Sequence, residues 1–233
     1  MLVAADRAAA WATERVLADE VQRSAGLLSR PTVDVRGVPF LTQAVAGRYD
    51  RVDVVARGVP AGEVSGVPLV LPRASVSLRG SRVPLEDLLS GRVTTLPVER
   101  VEADALLPFD VVRRSADVGD LEVGAEGELL RLRGTVRVLR QDLTATALSR
   151  LTVDDGQVVL TAESFDLGGD GGEGPADRLA DRLVTRALAG RFDVRVQLGA
   201  LPYGLRVVGV AVQEDGLAVR VRADDTVLSP PPS

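Results

Sequence analysis

The chain has no cysteine, no histidine, no lysine, no isoleucine and no asparagine. Without cysteine there are no disulfides and no thiol chemistry. Without histidine the usual general base, the third member of a hydrolase triad and the commonest metal ligand are missing too. Aromatic residues make up 3% of the chain, too few to build stacking platforms for nucleic-acid bases. No stretch approaches the ~20 consecutive apolar residues of a membrane-spanning helix. No run of like charge exists either. The 28 basic residues, all arginine, are interleaved with 33 acids for a net charge of −5, which argues against a nucleic-acid partner.

What is present is valine, leucine and alanine. Apolar residues are 45% and charged residues 26%, ordinary for a soluble globular protein, and 233 residues suffice for a sizeable core. The chemistry-bearing motifs are few. The run Gly168 to Gly174 lacks the lysine and the serine or threonine of a phosphate-binding loop, and Asp170 and Glu173 match no calcium-cage spacing, so it reads as a linker. Asp154 and Asp155 fall in a hairpin turn, and Glu99, Glu102 and Asp104 lie along one strand. A two-carboxylate glycan hydrolase is the enzymatic alternative that composition leaves open. The expectation is a protein that is not an enzyme and holds no cofactor and no metal, working through shape and apolar surface.

The periodicity predicts an α+β fold in one unit over residues 1–228, with a loose tail at 229–233. A helix is expected from Asp6 to Leu28, capped by Asp6, with Leu17 and Val21 on its apolar stripe and Trp11 beside it. Short helices follow at Phe40 to Ala46 and Pro84 to Ser90. Strands are expected at 52–54, 75–78, 98–105, 128–132, 135–139, 144–153, 157–162, 193–198, 205–213 and 217–222. Asp155-Gly156 and Asp215-Gly216 signal tight antiparallel hairpins. Pro175 to Ala189 is a second amphipathic helix, with Arg178, Arg182 and Arg186 along its wet side. A helix–Gly–strand unit at 40–54 is echoed at 176–198, where Ala44 to Asp50 corresponds to Ala187 to Asp193. Valine and leucine alternate with charged residues, so each sheet has one apolar and one wet face. A long antiparallel sheet that covers these helices has to curl, leaving an elongated groove.

Apolar clustering marks the candidate lining of such a groove. Trp11, Leu17 and Val21 lie on the first helix. Phe40, Leu41, Val45 and Tyr49 form a second group, with Leu106, Phe109, Leu201 and Tyr203 beside proline and glycine loops. Each group reads also as core, where most apolar clusters belong. Arg178, Arg182 and Arg186 are candidates for anionic headgroups, or a solvated face neutralised by Asp177 and Asp181.

The run Gly37-Val38-Pro39-Phe40-Leu41-Thr42-Gln43, followed by Gly47, Tyr49 and Val52 leading into a strand, resembles the LmeA-type phospholipid-binding family of actinobacteria. The flanking layout is similar over roughly residues 15 to 220. The resemblance implies a tubular lipid-binding-like fold, with a curved antiparallel sheet wrapping a long helix around an acyl-chain groove. It also implies a location in the cell envelope, outside the cytoplasm, reached through an N-terminal signal or anchor missing from this chain; Met1 to Ala5 reads either as the stub of such a segment or as an ordinary frayed terminus. The expected partners are phospholipid and a membrane surface. The alternative is an envelope scaffold with a filled interior that binds a protein partner through a sheet edge or the arginine-rich helix.

Overall fold

The computed structural model describes residues 2–64, 67–90, 93–115, 119–138, 141–155, 157–167, 195–196 and 201–229. The expected helix at 175–189, its arginines Arg178, Arg182 and Arg186, the glycine-rich run and the second copy of the repeat up to Val194 lie outside the described residues.

Helix α1 (Leu2–Ser24) leads into strand β1 (Thr32–Arg36), helix α2 (Phe40–Ala46) and two long strands, β2 (Arg48–Val64) and β3 (Val67–Arg82). Helix α3 (Leu85–Ser90), strand β4 (Leu96–Leu107) and helix α4 (Phe109–Ser115) follow. Then come β5 (Gly119–Glu126), β6 (Leu129–Val138), β7 (Gln141–Asp154), β8 (Gln157–Leu167) and the two-residue β9 (Arg195–Val196). A single 3₁₀ turn (Pro202–Gly204) precedes β10 (Arg206–Gln213) and β11 (Gly216–Leu228). The class is α+β, as the alternation predicts. The strands divide into two open antiparallel sheets, one of six in the order β1-β2-β3-β4-β11-β10 and one of five in the order β5-β6-β7-β8-β9.

Alternation decides what each face does. In the six-stranded sheet the register sets Val33 opposite Val54 and Val35 opposite Val52, then Val54 opposite Val76 and Val76 opposite Ala103. One face is therefore apolar across its width. The intervening positions carry arginines and acids joined across strands: Asp53 accepts from Arg36 at 2.5 Å and Arg51 at 2.8 Å, and Glu102 takes Arg222 at 2.9 Å. Such exposed pairs contribute little each, but they fix register, because a one-residue slip would turn the charges into the core.

Two clusters of buried side chains lie at the two ends of the molecule. The larger joins the sheets, with Leu107, Val207, Leu217 and Val219 of one meeting Leu130, Leu132, Ala147 and Leu160 of the other around Val111 and Val112 of α4. The smaller gathers Ala10, Val35, Phe40, Ala44, Tyr49 and Val83 beneath α1, α2 and α3. Helix α1 thus packs at one end, against β1, α2 and α3.

The β10–β11 turn brings backbone against backbone. A Cβ built on Gly216 would stand 2.2 Å from the carbonyl oxygen of Leu107 on β4. Gly216→Ala is therefore expected to cost about 2–3 kcal/mol, since the two nearest atoms are Leu107 backbone, which cannot swing aside. Urea unfolding monitored by circular dichroism checks this; a midpoint equal to wild type would mean the β4–β11 ladder yields.

Candidate functional site

The stretch from Gly37 to Asp53 folds as a compact knot. Gly37 has φ +108, a backbone conformation that favours glycine, and a Cβ there would meet the Gln43 side-chain nitrogen at 2.3 Å and displace that side chain. The Val38–Pro39 peptide is cis. Gln43 turns back to accept the Asp50 N–H at 2.9 Å. Gly47, left-handed at φ 61, ends α2, and its carbonyl accepts the Val83 N–H at 2.9 Å.

Pro39, at the N-cap of α2, makes no side-chain cap bond. The cap comes from α1. Asp6 does not cap its own helix as its position in the sequence predicts; it lies inside α1, and its buried carboxylate accepts the N–H groups of Phe40 at 3.0 Å and Leu41 at 2.8 Å. These two bonds, Leu41 first and Phe40 second, hold the Asp6 carboxyl below its usual 3.8. In the unfolded chain the bonds are absent, so the carboxylate stabilises the fold at neutral pH. That contribution is lost as pH falls below 3.8 and through the lower folded value. Asp6→Asn is expected to melt below wild type at pH 7, with the gap narrowing towards about pH 2. Melts across that range check it, and a constant gap would mean the effect is not the charge.

The candidate lining residues separate into two distant groups. Phe40 and Tyr49, 1% and 2% exposed, pack into the smaller core with ring centroids 6.4 Å apart, and Leu17 packs against them. The Tyr49 hydroxyl is buried without a hydrogen-bond partner. Val21 is half-buried. Trp11 is 57% exposed beneath the Arg15 guanidinium, which lies 4.2 Å from its ring centroid. Leu41 and Val45, a turn apart on α2, face outwards with Val38. At the other end Phe109 and Leu201 pack on the larger core, and Leu106 lines a surface trough. Tyr203, left-handed at φ 60, donates its hydroxyl to the Ser229 carbonyl and accepts from Thr226 through its own carbonyl at 2.9 Å.

Between the two cores runs a strip that the apolar clusters in the sequence did not point to. On the apolar face of the six-stranded sheet, Val54, Val76 and Ala103 form one cross-strand row, and Ala56, Ala74 and Ala105 the next. Val54, Ala74, Val76, Leu78, Ala103 and Ala105 belong to neither cluster, and each keeps part of its surface accessible. Four of the seven residues named are alanine, so the sheet is low between two taller blocks of side chains. The signal was present as Val101, Ala103, Ala105 and Leu107 alternating along β4, but small residues raise no flag as a cluster.

Two further troughs are present, the first of them reaching the strip at Ala105. One of about 460 Å³ is lined by Arg73, Ser75, Asp104, Leu106, Ala218 and Arg220 among others. One of about 620 Å³ lies on the polar side of the five-stranded sheet, between Glu122, Arg131, Arg133, Thr144, Thr146 and Asp166. Among the described residues no group of three or more carboxylates converges on a point that would hold a metal ion. No helix among them is long and apolar enough to cross a membrane.

No curated protein and no solved structure matches the chain. A family model described as LmeA-like phospholipid-binding does match, over residues 4–222. That span takes in the Gly37–Asp53 knot, both sheets and the strip between the cores. The chain belongs to the LmeA-like phospholipid-binding family.

Proposed function

We propose that the protein is a non-enzymatic phospholipid carrier of the cell envelope that lays acyl chains along the alanine and valine strip of the six-stranded sheet. The observation that carries this reading is the strip itself. It is apolar, partly accessible and bounded at both ends by filled cores, which is what a trough for a chain requires. From Ala74 to Leu78 it runs four residue steps, roughly 13 Å at strand spacing. Each acyl methylene it takes out of water contributes ~0.8 kcal/mol, so two chains need no special polar chemistry to be held. Val38, Leu41 and Val45, exposed on the outer side of α2 with Arg48 just past its end, form the edge with which the protein meets a bilayer.

Native mass spectrometry of protein purified from its own cells, paired with solvent extraction, tests the reading. Phospholipid is expected to co-purify, and protein stripped of it to reload from labelled phosphatidylglycerol vesicles. A protein that carries no lipid and takes none up is instead a scaffold with a closed interior.

A further inference from the structure

On the polar face of the six-stranded sheet, arginines come with acids. Arg36 and Arg51 share Asp53, Arg79 and Arg222 share Glu102, and Arg82, Arg100 and Arg220 bond Glu99, Asp224 and Asp104. Four arginines of this sheet, Arg48, Arg57, Arg73 and Arg206, break the pattern among the described residues, and Arg57 and Arg73 do so as a pair. They stand directly opposite one another on β2 and β3, and among the described residues neither has a carboxylate partner. Like charges in facing positions repel, so this pair opposes the hairpin that carries it. Among the described arginines of this sheet without an acid, Arg57 and Arg73 are the two that face each other, which leaves the pair for an anion from outside.

Their position says which anion. The β3–β4 ladder runs only from Arg79–Arg100 to Ala74–Ala105. Arg73 is the first residue beyond it, where the β2–β3 arm forks away from the sheet. The 460 Å³ trough opens at this fork. Arg73 and Ser75 stand on one side, the Arg220–Asp104 pair on the other, with Leu106 and Ala218 between. Ala105 and Val210 line it too, and their register places them on the opposite, apolar face of the sheet. Ala105 is itself the end of the alanine row in the strip. Past the last ladder rung no hydrogen bonds join β3 to β4, so a molecule can have its charged end on the wet face and its tails on the dry one.

We infer that the fork is the phosphate site of the bound lipid, with Arg73, assisted by Arg57 and the Ser75 hydroxyl, receiving the headgroup phosphate. This rests on the lipid-carrier reading and adds to it where the head lies. Arg57, Arg73 and Arg220 against Asp104 leave two positive charges, enough for a phosphodiester or a phosphomonoester. Inorganic phosphate shares that chemistry but lacks the tails.

Isothermal titration of wild type, Arg73→Gln and Arg57→Gln with three probes separates the possibilities: dihexanoyl phosphatidic acid, dihexanoylglycerol, and inorganic phosphate. Wild type is expected to bind the phosphatidic acid at least tenfold more tightly than the diacylglycerol, and inorganic phosphate far more weakly than either. Arg73→Gln is expected to lose that tenfold preference while keeping its affinity for the diacylglycerol, and Arg57→Gln to lose part of it. Because a repulsion is removed, neither variant should melt below wild type, as it would if the arginine were structural. Unchanged phosphatidic acid binding by Arg73→Gln overturns the phosphate site and leaves the carrier reading standing. Inorganic phosphate binding as tightly as the lipid overturns it in favour of a free-anion site. Wild type that binds neither lipid overturns the carrier reading, and this inference with it.

Discussion

Tryptophan in place of Ala103 is expected to empty the protein of phospholipid while leaving it folded. Ala103 lies at the middle of the strip, between Val76 on one neighbouring strand and Val221 on the other. It is only partly buried and, among the described residues, belongs to neither core. An indole there occupies room that three or four acyl methylenes would use. At ~0.8 kcal/mol each, that loss lowers affinity on the order of a hundredfold. The readout is lipid recovered per mole of purified protein, beside a circular dichroism melt to establish that the sheet is intact. A folded Ala103→Trp protein with a full lipid load would place the acyl chains somewhere else.

The second large effect is on the fold, at Phe40. Its ring is 1% exposed, packed on Tyr49 at one end of the α2 knot. Phe40→Ala removes a fully buried aromatic and leaves a cavity, at about 4 kcal/mol. For a chain of this size that lowers the melting temperature by roughly 10 °C. Val45, five residues later in the same family-specific stretch and 90% exposed, provides the contrast. Val45→Ser is expected to fall within about 0.5 kcal/mol of wild type, as surface changes do. Thermal melts of both variants decide it. Equal losses would mean that the stretch is held by something other than the packing seen here.

That contrast also marks what could be read in advance. Helix α2 has the bounds the pattern predicts, because Pro39 before it and Gly47 after it are unambiguous local signals. The β10–β11 hairpin likewise announces itself through Asp215-Gly216. Strand β2 runs 17 residues where three were expected, since Gly58, Pro60 and Gly62 argue against a strand locally and only pairing with β3 overrides them. Helix α4 and strand β5 were not foreseen. The run around Pro108 reads as an apolar cluster, core or groove lining, although Asp110 in the first turn and Arg113 and Arg114 in the last are usable helix signals. The break expected at residues 133–134 fails for a related reason: β6 passes through Gly134, which is buried and paired with β7, without interruption.

The strip proposed for acyl chains is not marked by the apolar clusters that the sequence offers. Large side chains draw the eye, yet Phe40 and Tyr49 are core, and Trp11 stands outside under an arginine. The strip is made instead of residues too small to notice, and its position depends on which strands become neighbours. Periodicity tells which side of a strand is dry; it does not tell that β4 lies beside β11 rather than β5. Asp6 shows the same limit from the polar side. As a cap its chemistry was read correctly, but its helix is 34 positions away at Phe40.

One contact at the rim of the six-stranded sheet has a bearing on how the molecule keeps company. Strand β1 is the outermost strand there, and the Glu14 side chain of α1 accepts the Val35 N–H at 2.9 Å. An incoming strand from another molecule would need that same donor and would first have to displace both the carboxylate and the helix that delivers it. A single acid therefore guards this border against polymerisation, and any protein that docks on the β1 side has to do so by side chains rather than by extending the hydrogen-bonded ladder.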